Sequence, residues 1–163
     1  MPNLSSVDSK NSLGDGLKTI FIGGLIAGTL DLLAAFTSAW LRGGTSPVRV
    51  SQFIASGALG PAAFSGGTKT VLIGVAFHFL IATVATAVFY VASRWLPFLI
   101  EWPVLVGLLY GVLVYLFMNF VVLPNSAIVQ RGSTPLSAQI VAALIIMFFV
   151  GLPIALIVRR FSK

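Results

Sequence analysis

Long apolar stretches alternate with short polar connections along this chain. Four stretches rich in Leu, Ile, Val, Ala and Phe cover residues 17–41, 71–93, 103–123 and 137–158. At a rise of about 1.5 Å per residue, each is long enough to cross the hydrocarbon core of a bilayer as a helix. The pattern therefore predicts an all-α integral membrane protein, a four-transmembrane-helix bundle that forms a single membrane domain over residues 17–163.

The connection between the first two stretches is too apolar for an ordinary loop. Ser46 is suited to cap a helix and Pro47 to occupy its first position. The resulting helix, at about residues 47–57, is too short to span, so an interfacial or re-entrant position is expected. Residues 1–16, by contrast, form a polar N-terminal tail that is expected to be disordered or to lie at the surface.

Composition supports the membrane class and removes several functions. The chain is 58% hydrophobic and 9% charged, with a mean hydropathy of +1.03 and no Cys. Disulfides, thiolate metal sites and iron–sulfur clusters are therefore excluded. The net charge of +6 does not indicate nucleic-acid binding, because the basic residues are scattered over loops and helix ends. They are better explained as topology signals and contacts to lipid headgroups.

The same basic residues give an orientation. Four spans place both termini on one side of the membrane. That side carries more Lys and Arg than the opposite side, mainly through the basic C-terminal tail. We therefore expect both termini in the cytoplasm and the short helix at residues 47–57 on the outside.

Each predicted span carries a strongly polar residue. Asp31 lies in the first, His78 in the second, Tyr115 and Asn119 in the third and Gln139 in the fourth. Depths counted along the helices place all of them in the outer half of the membrane. Because intramembrane ionisable groups pair or line a cavity, Asp31 and His78 are expected to pair, with the other three lining the same site. The cluster could bind a small ligand or proton, or it could only fix helix register.

Small residues predict where the helices touch. Glycine allows two helix backbones to approach closely, and four-residue spacing places such residues on one face. The expected packing positions are Gly24 and Gly28 in the first span, Gly74 in the second, and Gly107 and Gly111 in the third.

Known site chemistries fit poorly, and three functions remain open. No cofactor or metal site is predicted: one His cannot supply two haem ligands, and Asp31 with His78 gives too few ligands for a typical zinc centre. The leading hypothesis is binding or transport of a small ligand or proton at the Asp/His site. The alternative is an accessory or structural subunit of a homo-oligomer or larger membrane complex. A lipid-acting enzyme using Asp31 and His78 as acid and base is the third, and a non-enzymatic role is favoured.

Several short patterns together carry a family resemblance. They are Gly24-x-x-x-Gly28-x-x-Asp31, Ser46-Pro47 followed by Gln52-x-Ile54-Ala55-Ser56-Gly57-x-Leu59-Gly60, His78-Phe79, and Tyr115-x-x-Met118-Asn119-x-x-x-Leu123-Pro124. In these features the chain resembles a family of small uncharacterised bacterial inner-membrane proteins to which no activity is assigned. The resemblance implies four spans and a bacterial cytoplasmic membrane, and it implies no substrate.

Overall fold

The fold is known from a computed structural model that describes residues 4–128 and 135–162, with side chains from residue 14 onwards. All regular structure in these ranges is helical. The helices are α1 (Leu4–Gly43), α2 (Pro47–Leu59), α3 (Gly67–Trp95), α4 (Phe98–Glu101), α5 (Pro103–Phe117), α6 (Leu136–Ile146) and α7 (Leu152–Phe161), with a 3₁₀ helix over Gly60–Ser65. Two π-helical segments, Met118–Val122 and Met147–Gly151, extend α5 and join α6 to α7.

Four of these helical stretches are long and apolar enough to cross a membrane. They are Gly14–Gly43, Gly67–Trp95, Pro103–Val122 and Leu136–Phe161, called here the first to fourth spans. The predicted all-α four-helix bundle is thereby confirmed, and the chain is an integral membrane protein. The first, second and fourth spans reach beyond the predicted limits, and the third ends one residue short of its predicted end. Since α1 begins at Leu4, the described part of the polar tail continues the first helix.

The first span is the centre of the bundle. It packs against α3 on one side and against the fourth span on the other, while the third span packs on the fourth. The buried apolar core consists of Ala27, Phe89, Val150, Ile154, Ala155 and Val158. Most of these residues belong to the fourth span, whose apolar surface lies between α1 and α5.

Backbone contact joins the third and fourth spans. A Cβ added to Gly151 would overlap the Gly107 carbonyl oxygen, and one added to Gly107 would lie 2.9 Å from the Leu152 Cα. Gly111 meets the Met147 backbone in the same way. The two helices therefore touch through glycines, a geometry that side chains would prevent.

Each π-helical segment ends two residues before a proline, Pro124 in the third span and Pro153 in the fourth. The Leu123 amide donates to the Met118 carbonyl, and the Leu152 amide donates to the Met147 carbonyl, each five residues back. Proline removes one amide donor, and its ring crowds the preceding turn, so a wider turn accommodates it.

The connection between the first two spans is a packed element. Ser46 accepts a hydrogen bond from the Arg49 amide at 3.3 Å and so caps α2, with Pro47 at its first position. The helix runs to Leu59 and ends at Gly60, whose φ of 61° suits glycine. The short helix expected at residues 47–57 is thus two residues longer, and it packs on the beginning of α3.

Candidate intramembrane site

Asp31 of α1 and His78 of α3 meet inside the bundle. The His78 Nε2 lies 3.9 Å from the Asp31 Oδ2, and the two side chains are 13% and 20% exposed. They are therefore on facing helices, and both point mainly into protein. This is the arrangement that the rule of paired intramembrane charges predicts.

Gly28 makes the meeting possible. The His78 Nε2 lies 2.8 Å from the Gly28 carbonyl oxygen. A carbonyl only accepts, so Nε2 carries the hydrogen and donates it. A Cβ on Gly28 would lie 2.8 Å from the Phe79 ring, and a Cβ on Gly24, one turn away, would lie 2.7 Å from the Thr83 Cα. The two glycines thus bring α1 against α3 closely enough for the imidazole to reach a backbone carbonyl.

The pair lies near the middle of the membrane-spanning part. Asp31 is about 18 Å from the end of α1 at Gly43, and His78 is about 17 Å from the start of α3 at Gly67, at 1.5 Å per residue. These two helix ends lie at the end of the bundle that carries α2, called here the α2 end. The two estimates agree, so the residues meet at one depth, slightly nearer the α2 end than the midpoint of the first span, Gly14–Gly43.

The carboxylate is under-satisfied. A distance of 3.9 Å is too long for a hydrogen bond, and no other donor in the described ranges reaches Asp31. A carboxylate has room for about four hydrogen bonds, and leaving it unpaired away from water is costly. Asp31 therefore has the capacity to accept a proton, a water molecule or a ligand donor.

Contacts with the fourth span relate the depths of the other helices. An added Cβ on Gly23 would lie 3.7 Å from Ile157, while Gly111 lies against Met147. Met147 is ten residues before Ile157 on a helix antiparallel to α1, so it is level with about residue 33 of α1. Asp31 and Gly111 therefore lie at nearly the same depth.

The remaining predicted residues lie nearer the α2 end than the pair. Asn119 is eight residues beyond Gly111, or about 12 Å, and Tyr115 is about 6 Å beyond it. Asn119 donates to the Tyr115 carbonyl at 2.8 Å, within its own helix. Gln139 is exposed and lies eight residues before Met147, again about 12 Å towards the α2 end. The structure brings together Asp31 and His78 and does not bring these three residues to them.

Gln52 is the polar residue that the sequence interpretation overlooked. In the structure Arg49 is exposed and lies 4.3 Å from the Phe64 ring centroid, whereas Gln52 is buried on the side that faces the protein. The spacing of Ser51, Gln52, Ala55 and Ser56, which share one helical face, was the signal that could have identified it.

The pair lies apart from two surface grooves of the described residues. In the described ranges, no group of three or more His, Cys, Asp or Glu could hold a metal ion. Two open surface grooves lie elsewhere, one at Leu156, Arg159, Arg160 and Phe161, the other at Val141, Leu144, Ile145, Phe148 and Phe149. The pair is therefore a small polar contact between helices rather than part of either groove.

Comparisons with known proteins add no information on function, so any functional proposal rests on the geometry of the Asp31–His78 pair. The resemblance to a bacterial inner-membrane family stays a prediction. No protein-family model, no curated protein and no solved structure matches the chain.

Proposed function

We propose that this integral membrane protein binds or passes a proton, or a small hydrogen-bonding ligand, at the Asp31–His78 pair. One observation carries the proposal. A carboxylate without a hydrogen-bond donor in the described part of the chain lies 3.9 Å from the single histidine, deep within the membrane-spanning region. Ionisable groups at such depth are rare and are commonly functional.

The two side chains have complementary chemistry. Asp31 accepts a proton, and the His78 imidazole can either carry one or release one. Nε2 is already turned towards two acceptors, the Gly28 carbonyl and the Asp31 carboxylate. His78 lies 3.9 Å from the Asp31 carboxylate, too far for a hydrogen bond. A proton or a donor ligand that binds Asp31 would therefore supply the bond that the carboxylate lacks.

A bacterial cytoplasmic membrane with both termini in the cytoplasm is part of this proposal. Among the described residues, Lys18, Arg94, Arg159 and Arg160 lie at the end of the bundle that holds the termini, and an excess of basic residues favours the cytoplasmic side. In that orientation the α2 end faces outwards.

A second candidate function is that of a subunit in a homo-oligomer or larger membrane complex. The groove of Val141, Leu144, Ile145, Phe148 and Phe149 on the fourth span is apolar and open, and neither of the two grooves includes the pair. In this case Asp31 and His78 would fix the register of α1 against α3, and the apolar groove would receive a partner helix.

Proton flux into liposomes separates the two candidates. Purified protein is reconstituted with a trapped pH-sensitive dye, and a potassium gradient with valinomycin imposes a potential. We expect flux above that of empty liposomes for the wild type and for Asp15→Asn, a control at an exposed carboxylate that pairs with Lys18 at 3.5 Å. Asp31→Asn and His78→Gln should lose the flux.

The opposite result favours the subunit. If Asp31→Asn conducts as the wild type does, or if the wild type does not exceed empty liposomes, proton passage at the pair is wrong. A change only in unfolding midpoint or oligomer size on Asp31→Asn would then assign the pair a structural role.

A further inference from the structure

The amphipathic helix α2 is turned with its polar side towards the protein. Val48, Phe53 and Leu59 are exposed, whereas Ser51, Gln52 and Ser56 belong to the buried face. A helix at a water-facing surface would show the reverse. Exposed apolar residues in a membrane protein fit hydrocarbon, so α2 presents its exposed apolar residues to lipid and its three uncharged polar residues to the bundle. The exposed Arg49 lies on the outer side, where a long basic side chain can reach the lipid headgroups.

Two of the three polar side chains form hydrogen bonds within α2, and the third, Gln52, forms none. The Ser51 hydroxyl donates to the Pro47 carbonyl at 3.0 Å, and the Ser56 hydroxyl donates to the Phe53 carbonyl at 2.7 Å. Gln52 is 5% exposed, and its amide has no hydrogen-bond partner within residues 14–128 and 135–162. An amide offers two donors and one acceptor. In the described ranges the fully enclosed polar atoms without a partner are Ser38 Oγ and Ser162 Oγ, so the unpaired Gln52 amide keeps a small accessible surface. Such a group points to a ligand that supplies the missing bonds.

The buried face of α2 lies next to the Asp31–His78 pair. Gly74 of α3 is the contact point, because a Cβ there would overlap the Ser51 carbonyl oxygen and lie 3.2 Å from the Ala55 nitrogen. Gly74 is one helical turn, about 6 Å, from His78 and on the same face of α3. The buried polar face of α2 therefore lies about one helical turn from the pair, on the side towards the α2 end.

We propose that Gln52 and the Asp31–His78 pair belong to one polar path that opens at the α2 end and admits a small hydrogen-bond donor, such as water, hydronium or a small protonated amine. The inner end of this path rests on the function proposed above. The chemistry selects the ligand class: the Asp31 carboxylate and the Gly28 carbonyl only accept, and the Gln52 amide oxygen also accepts. A carboxylate in a low-dielectric site repels anions and attracts small cations.

The accessibility of an introduced thiol tests the path. Because the sequence contains no Cys, the introduced thiol is the only one that can react. Gln52→Cys, Phe53→Cys and Ser65→Cys are each reconstituted into lipid vesicles and treated with a small cationic methanethiosulfonate. Ser65, exposed in the 3₁₀ helix, is the positive control, and the lipid-facing neighbour Phe53 is the matched negative control. Because only a hydrated thiol ionises readily, we expect Gln52→Cys to react at least about tenfold faster than Phe53→Cys.

A charge comparison then connects Gln52 to Asp31. The rate ratio of the cationic reagent to a neutral one of similar size should fall several-fold when Asp31→Asn is added to Gln52→Cys. If Gln52→Cys is as slow as Phe53→Cys, or if the ratio is unchanged by Asp31→Asn, the shared path is wrong. Should Gln52→Cys fail to fold, Ser56→Cys on the same buried face replaces it, with the same two outcomes.

The two proposals fail separately. An unreactive Gln52→Cys together with flux that Asp31→Asn abolishes would overturn the path and keep the function at the pair. A reactive, Asp31-dependent thiol in a protein without proton flux would support the path and overturn proton passage.

Discussion

Gly74 is where α2 rests on α3, and a methyl group has no room there. A Cβ would overlap the Ser51 carbonyl oxygen and lie 2.8 Å from the Ser51 carbonyl carbon and 3.2 Å from the Ala55 nitrogen. These are helix backbone atoms, so no side-chain rotation relieves the overlap. Since ordinary contacts of a Cβ begin at 3.4 Å, Gly74→Ala must push the two helices apart.

The expected loss follows from two opposing terms. Overpacking costs about 1–3 kcal/mol, and an overlap with backbone belongs in the upper part of that range. Alanine gains about 1 kcal/mol over glycine in a helix interior. The net expectation for Gly74→Ala is a loss of about 1–2 kcal/mol of unfolding free energy. Gly57→Ala is the matched control on α2, because its nearest neighbour would be Ile128 at 3.9 Å, and it should gain up to about 1 kcal/mol.

Unfolding by sodium dodecyl sulfate in mixed micelles, followed by far-ultraviolet circular dichroism, measures both variants. We expect Gly74→Ala to be less stable than Gly57→Ala by about 2 kcal/mol. If Gly74→Ala is as stable as Gly57→Ala, then α2 does not pack on α3, and the path from Gln52 to His78 loses its structural basis.

Three further changes test other contacts in the same unfolding assay. Gly151→Ala should cost about 1–2 kcal/mol, because its Cβ would overlap the Gly107 carbonyl oxygen; wild-type stability would refute the backbone contact of the third and fourth spans. Tyr110→Phe removes a 2.7 Å hydrogen bond to the Ala85 carbonyl and should cost about 0.6 kcal/mol, the usual value in membrane bundles; no loss would place the hydroxyl elsewhere. Ser46→Ala removes the cap of α2 and should cost about 1 kcal/mol, with faster amide exchange in its first turn; unchanged exchange would argue against the cap.

The membrane fold could be predicted because its causes are local. Length and hydropathy define a span, and Ser46-Pro47 defines the start of α2 without reference to any other helix. The meeting of Asp31 and His78 was also predictable. A carboxylate at that depth needs a partner, and the chain contains one histidine.

The depth of the other polar residues could not be predicted, because helix register is set by tertiary contacts. Counting from assumed membrane boundaries placed Asn119 and Gln139 in the same outer half of the membrane as Asp31, and from this we expected them to line one site with it. The register actually depends on which residues touch, such as Gly111 against Met147, and a single sequence does not contain that information. Gln52 was missed for a related reason: which face of α2 packs on α3 is also set by tertiary contacts, such as Gly74 against the Ser51 backbone.

The contact between His78 and Asp31 can be measured directly. Because the chain has one histidine, ¹⁵N-histidine labelling reports on His78 alone, and ¹³C labelling of aspartate carboxyls supplies the second spin. In lipid bilayers, solid-state nuclear magnetic resonance should detect a dipolar coupling between a His78 ring nitrogen and an aspartate carboxyl carbon. Asp31→Asn should abolish that coupling and shift the His78 nitrogen resonances. Absence of the coupling in the wild type, or its survival in Asp31→Asn, would contradict an intramembrane Asp31–His78 site.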